Sequence, residues 1–111
     1  MFDFEFFQND ILVNKYEGLF YKEETFVTDD LLYNHKDKKL IRNTDDYSFT
    51  IDFKTGKLFL KLSADNYEGN TIILISNVVE DDNIIKLIYQ IDENEPINKI
   101  VITRRNPWRT S

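Results

Sequence analysis

Cysteine is absent from the 111 residues. That removes a disulfide framework, a thiol nucleophile and any thiolate metal site, and fits a reducing compartment. Proline (two) and glycine (three) are scarce, and no Ser-rich, Gln-rich or repeated segment occurs. Nothing therefore reads as a linker, and a single domain is expected over residues 1–105 with a short tail at 106–111. A chain of this size can bury about two thirds of its unfolded surface without a staple. Basic residues are in the minority, 14 against 20 acids, for a net charge of −6. That is the wrong sign for a surface neutralising phosphates, so nucleic acid is not an expected partner. Long apolar runs are missing as well, the longest strongly apolar one being Ile72 to Ile75, and Asp3 and Glu5 stand where a signal peptide needs basic residues. Neither export by that route nor a membrane span is expected, and the expected location is cytoplasmic.

Catalytic patterns are equally sparse. No Gly-rich phosphate cradle, nucleophile elbow or zinc spacing is present. His35 is the single histidine and lies in Asn34-His35-Lys36-Asp37-Lys38, whose polar neighbours suit a turn, so it reads as a solvated turn residue. The doublets Asp29-Asp30, Asp45-Asp46 and Asp81-Asp82 lack the alternating oxygen ligands, central glycine and closing glutamate of a calcium loop. They read as turn markers that keep sheet ends soluble. No catalytic residue, metal ligand or cofactor is expected, and an enzyme built on carboxylates from distant strands is the weaker alternative.

What the chain does have is β patterning. Tyr47, Phe49, Ile51 and Phe53 alternate with polar residues, and after a Gly-containing break Leu58, Leu60 and Leu62 alternate again. An odd loop would mix the two faces, whereas an even loop with Phe53 opposite Leu58 pairs Ile51 with Leu60 and Phe49 with Leu62 on one apolar face. Phe2, Phe4 and Phe6 alternate with acids and open the chain as a strand that Ile11 to Val13 extends; Gly18 before Leu19-Phe20-Tyr21 reads as a bulge or kink where a sheet curls. Thr25-Phe26-Val27, Leu31-Leu32-Tyr33 and Leu40-Ile41-Arg42 are short β-prone pieces, the last two forming a hairpin across the His35 turn. Thr71 to Val79, paired through Val79 opposite Ile84, would place Ile72, Leu74, Val78, Ile85, Leu87, Tyr89 and Ile91 on one face of a mostly buried central hairpin. Asp92 to Pro96 turns the chain into a last strand over Ile97 to Thr103. The expected fold is all-β, an antiparallel meander of about eight strands closing on itself as a barrel.

Four stretches carry a family likeness: Gly18-Leu19-Phe20-Tyr21, Lys39-Leu40-Ile41-Arg42, Ile88-Tyr89-Gln90-Ile91-Asp92 and Asn98-Lys99-Ile100-Val101-Ile102. In their order the chain resembles, from Gly18 to Thr103, a family of bacterial calycin-type β-barrels of unassigned activity, the YwiB-like proteins. It is shorter than that family's pattern between Tyr33 and Arg42. The resemblance implies an eight-stranded, lipocalin-shaped barrel with an internal cavity, and it carries over no functional residue.

A non-enzymatic barrel binding a small amphipathic molecule is the leading functional expectation. Tyr21, Tyr33 and Tyr89 offer amphipathic rings of the kind that line such a cavity, and Arg42 ends an apolar strand in an acidic protein. For Arg42 the sequence favours a structural pair with Asp45 or Asp46 over anion capture. The alternative function is a protein-interaction module using a sheet edge or the acidic surface, its partner unknown. In the tail, Trp108 beside Arg104, Arg105 and Arg109 reads first as a plug for one barrel end and second as a stacking residue.

Overall fold

The computed structural model describes residues 2–21, 24–64 and 66–104, with only the backbone described for Leu19, Phe20, Tyr21 and Arg104. Trp108 and the expected plug lie outside the described residues. Among the described residues there are eleven strands: β1 (Phe2–Gln8), β2 (Ile11–Tyr21), β3 (Thr25–Val27), β4 (Leu31–Asn34), β5 (Lys39–Asn43), β6 (Tyr47–Asp52), β7 (Lys57–Leu62), β8 (Tyr67–Ile72), β9 (Ile75–Asp81), β10 (Ile84–Gln90) and β11 (Asn98–Arg104). All pairings are antiparallel, in the order β8-β7-β6-β5-β4-β3-β2-β1-β11-β10-β9, and no α-helix occurs among the described residues.

The expected meander is therefore there, with eleven strands instead of about eight. Asn9 and Asp10 both adopt positive φ, 51° and 67°. Such a pair makes a two-residue turn whose twist suits a hairpin, so the N-terminal stretch folds back as β1 and β2 where one extended strand was expected. Ile73 and Leu74 likewise divide Thr71 to Val79 into the end of β8 and most of β9.

Strand β2 serves two sheets. Its residues from Ile11 to Gly18 pair with β1, and Leu19 to Tyr21 pair with β3. Gly18 is the corner, as expected of a kink, and its surroundings explain the residue: a Cβ there would lie 2.5 Å from the Phe2 ring and 2.7 Å from the Val27 carbonyl oxygen. Strands that switch sheets at a sharp bend are how two β layers come to face one another. One layer is β9-β10-β11-β1-β2 and the other runs from the end of β2 to β8. Between them sit Phe2, Phe4, Phe26, Tyr33, Leu40, Ile51, Ile85, Leu87, Ile100 and Ile102, all buried. The Phe2 and Phe26 rings meet edge to face at 4.9 Å across the corner.

Two registers differ from expectation by two residues. In β6–β7 the pairs are Ile51–Leu58 and Phe49–Leu60. The apolar face is the expected one, because a two-residue shift preserves it. The turn keeps four residues but begins one residue earlier, at Phe53, and its own hydrogen bonding places it there: Gly56 N donates to Asp52 O at 2.8 Å, Lys54 N donates to the Asp52 side chain at 2.9 Å, and Gly56 takes φ +72°. Ile84 faces Asp81 where Val79 was expected, so Leu87 pairs with Val78 and Ile85 with Glu80. That hairpin is not central, because β9 is an edge strand. Ile72 and Leu74 are exposed by 74% and 59%, whereas Ile73 is buried. Strand alternation lapses at the Ile73-Leu74 link, and with it the expected common face.

The sheet is open: β8 and β9 are its two edges and do not pair. The link between them is pinned at one end of the molecule, with Ile73 N donating to Gly56 O at 2.9 Å and Leu74 N to Ile91 O at 3.2 Å. No helix among the described residues is long and apolar enough to cross a membrane.

Candidate functional site

The β4–β5 hairpin aims polar side chains inward at both ends. Alternation from Leu31 through Tyr33 carries one step past the strand, so His35, expected in solvent, is 2% exposed. Its backbone N–H is taken by Glu24 O at 3.0 Å, and Lys38, at φ 58°, reverses the chain while its carbonyl accepts from Phe53 N at 2.9 Å. The turn is thus held from two sides, and the ring has nowhere to go but in.

Around His35 the contacts are short. The Tyr33 hydroxyl lies 3.0 Å from Nδ1, and Glu80 Oε1, from the inner face of β9, lies 3.1 Å from Nε2. Lys38 Nζ donates to His35 O at 3.0 Å and sits 3.3 Å from each ring nitrogen. Glu24 completes the group: its carboxylate, the imidazole and the Glu80 carboxylate offer ligand atoms within 4.8 Å of one another. An ionised Glu80 can only accept, so in the neutral ring the proton sits on Nε2 and Nδ1 accepts from Tyr33. Burial, then the Glu80 and Glu24 carboxylates, hold the Tyr33 phenol far above its usual range, so it stays a neutral hydroxyl. Fully buried and fixed in the neutral form, Tyr33 is unsuited to act as a nucleophile.

Arg42 lies at the other end of the hairpin, between Leu31 and Phe49 in register. Its partner is Asp30, at 3.3 Å, and not the expected Asp45 or Asp46. The reason is pairing: Leu31 faces Arg42, and Asp30 O accepts from Asn43 N at 3.0 Å, so Asp30 is the carboxylate next to the guanidinium. Arg42 is 29% exposed, yet its Nε is buried and has no hydrogen-bond partner among the described residues. Near it, the apolar face of β6–β7 changes character. Ile51 and Leu58 are buried, whereas Tyr47, Phe49, Leu60 and Leu62 are half-buried. At the β7–β8 turn, a shallow surface depression of about 560 Å³ is lined by Leu62, Asn66, Tyr67 and Glu68.

Of the four residues singled out for ligand contact, two come together. Burial pushes the Tyr89 hydroxyl up to about 12, and the Arg42 guanidinium is close enough to draw it back down. Tyr33 lies deeper, separated from Tyr89 by Phe53, which meets both rings edge-on at 6.4 and 6.3 Å. Tyr21 is placed by its backbone in the β2–β3 pairing. The residues that sequence reasoning missed are His35, Glu24 and Glu80. The signal for His35 was the period of two, Leu31-Tyr33-His35, continued into the turn; for Glu24 and Glu80 no local signal exists.

Comparison with protein-family models, with curated proteins and with solved structures finds no match.

Proposed function

We propose that this protein is a non-enzymatic, cytoplasmic binding domain, an opened calycin-like barrel that holds a small amphipathic molecule with an anionic group in its mouth. The observation that carries this reading is the Arg42 Nε, a buried donor with no partner among the described residues, set on an apolar face that is left half-buried. A buried donor without an acceptor is destabilising by about 1–3 kcal/mol, and an anionic ligand group supplies the acceptor. Phe49, Leu60 and Leu62 suit its apolar body, and Tyr89, within electrostatic reach of Arg42, offers it a neutral hydroxyl. Native mass spectrometry of protein purified from its own host is the test. A co-purifying small mass that is lost in Arg42→Gln is the expected result; protein free of any bound mass, or a mass retained equally by the variant, would overturn it.

A second reading has its own observation. The unpaired edges β8 and β9 with Ile72 and Leu74 exposed between them suit strand addition by a protein partner. In the same experiment that reading expects a protein-sized mass, unaffected by Arg42→Gln.

A further inference from the structure

The charge and geometry around His35 serve no purpose in the mouth at Arg42, and they define a second site. We propose that Glu24, His35 and Glu80 bind a divalent transition-metal ion of the zinc class, with Lys38 holding the place of the cation in the metal-free protein.

Distance is the first argument. Ligand atoms at about 2.0–2.1 Å from a tetrahedral ion lie about 3.3 Å from each other. The His35 Nε2 to Glu80 Oε1 separation is 3.1 Å, already that of two adjacent ligands, and Glu24 lies within 4.8 Å of both. Glu24 is exposed and Glu80 is 50% exposed, so rotamer changes can close the remaining gap and the ion can enter from solvent. The imidazole, in contrast, is fixed.

Orientation is the second. A ligating histidine needs its other nitrogen held, and Tyr33, fully buried, holds Nδ1 at 3.0 Å. When an ion replaces the proton on Nε2, the ring proton resides on Nδ1 and donates to the Tyr33 oxygen. Both states are therefore satisfied by the same two residues.

Charge is the third. Two carboxylates converging on a buried ring require a cation, and Lys38 Nζ, 3.3 Å from both ring nitrogens, supplies one on a flexible, half-buried stem. One histidine nitrogen with two carboxylates matches zinc-class ions; calcium takes six to eight oxygens and magnesium keeps its waters. The three ligands come from the β2–β3 connection, the β4–β5 turn and β9. Binding would therefore tie an edge strand to the opposite layer and stabilise the fold by mass action.

The chain is well suited to the test, since it has no cysteine and a single histidine. Untagged full-length protein is titrated with zinc chloride and with cobalt chloride, followed by equilibrium dialysis, the visible absorption of cobalt and the thermal midpoint. Calcium and magnesium chloride serve as controls. One equivalent of zinc is expected with a raised midpoint, against no change with the control ions. Glu80→Gln and Glu24→Gln, at accessible positions, should each weaken zinc by about tenfold or more, and Tyr33→Phe by about 10–100-fold. Lys38→Met, which keeps the stem and removes the competing charge, should tighten it. No zinc bound at millimolar concentration would overturn the proposal. So would affinity unaffected by both glutamate variants, or lowered by Lys38→Met. The readings at Arg42 and at His35 fail separately, because Arg42→Gln leaves every zinc ligand in place.

Discussion

The two ends of the β4–β5 hairpin make a controlled comparison. Each aims a nitrogen-bearing side chain into the space between the layers, His35 from the turn and Arg42 from the open end. Every nitrogen of the His35 ring has a partner at 3.0–3.3 Å, whereas Arg42 keeps Asp30 on one side and, among the described residues, no partner for its Nε on the other. A satisfied buried polar group stiffens the fold around it, and an unsatisfied one leaves chemistry to be completed from outside. The difference sets a fully partnered ring at one end of the hairpin against an incompletely partnered guanidinium at the other.

The severest way to break the comparison is to remove what the two ends share. Leu40 is fully buried, pairs with Tyr33 and with Ile51, and lies two residues before Arg42. Leu40→Ala is expected to destabilise the protein by about 2–5 kcal/mol in urea unfolding and to impair both ends together. A loss under about 1 kcal/mol would mean that the hairpin is not anchored by its core face.

Smaller, and sharper, is the contrast between single changes at the two ends. Tyr33→Phe leaves His35 Nδ1 without its buried partner and should destabilise by about 1–3 kcal/mol. Arg42→Met removes a buried donor that has no partner among the described residues, and with it a partly exposed ion pair, so stability should stay the same or rise by up to about 2 kcal/mol. Urea midpoints measured side by side check both, and equal losses would erase the distinction.

Alkali gives the gentlest probe. Tyr33 and Tyr89 ionise at ordinary values near 10 when unfolded, and burial keeps both protonated beyond that in the fold. A raised folded value means that the unfolded chain loses its proton first, so stability is intact below about pH 10 and falls as pH rises through the folded values. For Tyr89 that fall spans about pH 10 to about 12, and for Tyr33 it continues higher. Absorbance at alkaline pH should show two tyrosines titrating only as the protein unfolds. Arg42→Met should move the Tyr89 transition upward, since the guanidinium favours the phenolate.

Much of the architecture was legible in the sequence, because period-two alternation marks a strand and its buried face together. Ile51 and Leu58, and Leu87 and Tyr89, were assigned to faces that the fold buries, and Phe2 and Phe4 to a strand. Register was misjudged at both β6–β7 and β9–β10, since alternation is blind to a slip of two; only the turn decides, through the Asp52 and Gly56 hydrogen bonds in the first case. The end of the sheet was illegible for a related reason. Nothing in Thr71 to Val79 distinguishes a central strand from two edges joined by Ile73 and Leu74. The His35 site was lost because polar neighbours were allowed to outweigh the alternation running into them, and because Glu24 and Glu80 arrive from positions distant in the chain.

The corner at Gly18 has a temporal side as well. Strands β3 to β8 each pair with their neighbours in the chain, but β1 must find β11, placing Phe2 opposite Arg104. Pairings between residues so distant in sequence are slow to form, because the intervening chain must be closed before any contact rewards it. The layer of consecutive hairpins can therefore assemble early, while the Phe2 ring, which packs over Gly18 and against Phe26, stays unburied until β11 arrives. The β1–β11 pairing, which joins strands distant in the chain on one side of Gly18, is therefore the step on which completion of the core around Phe2 depends.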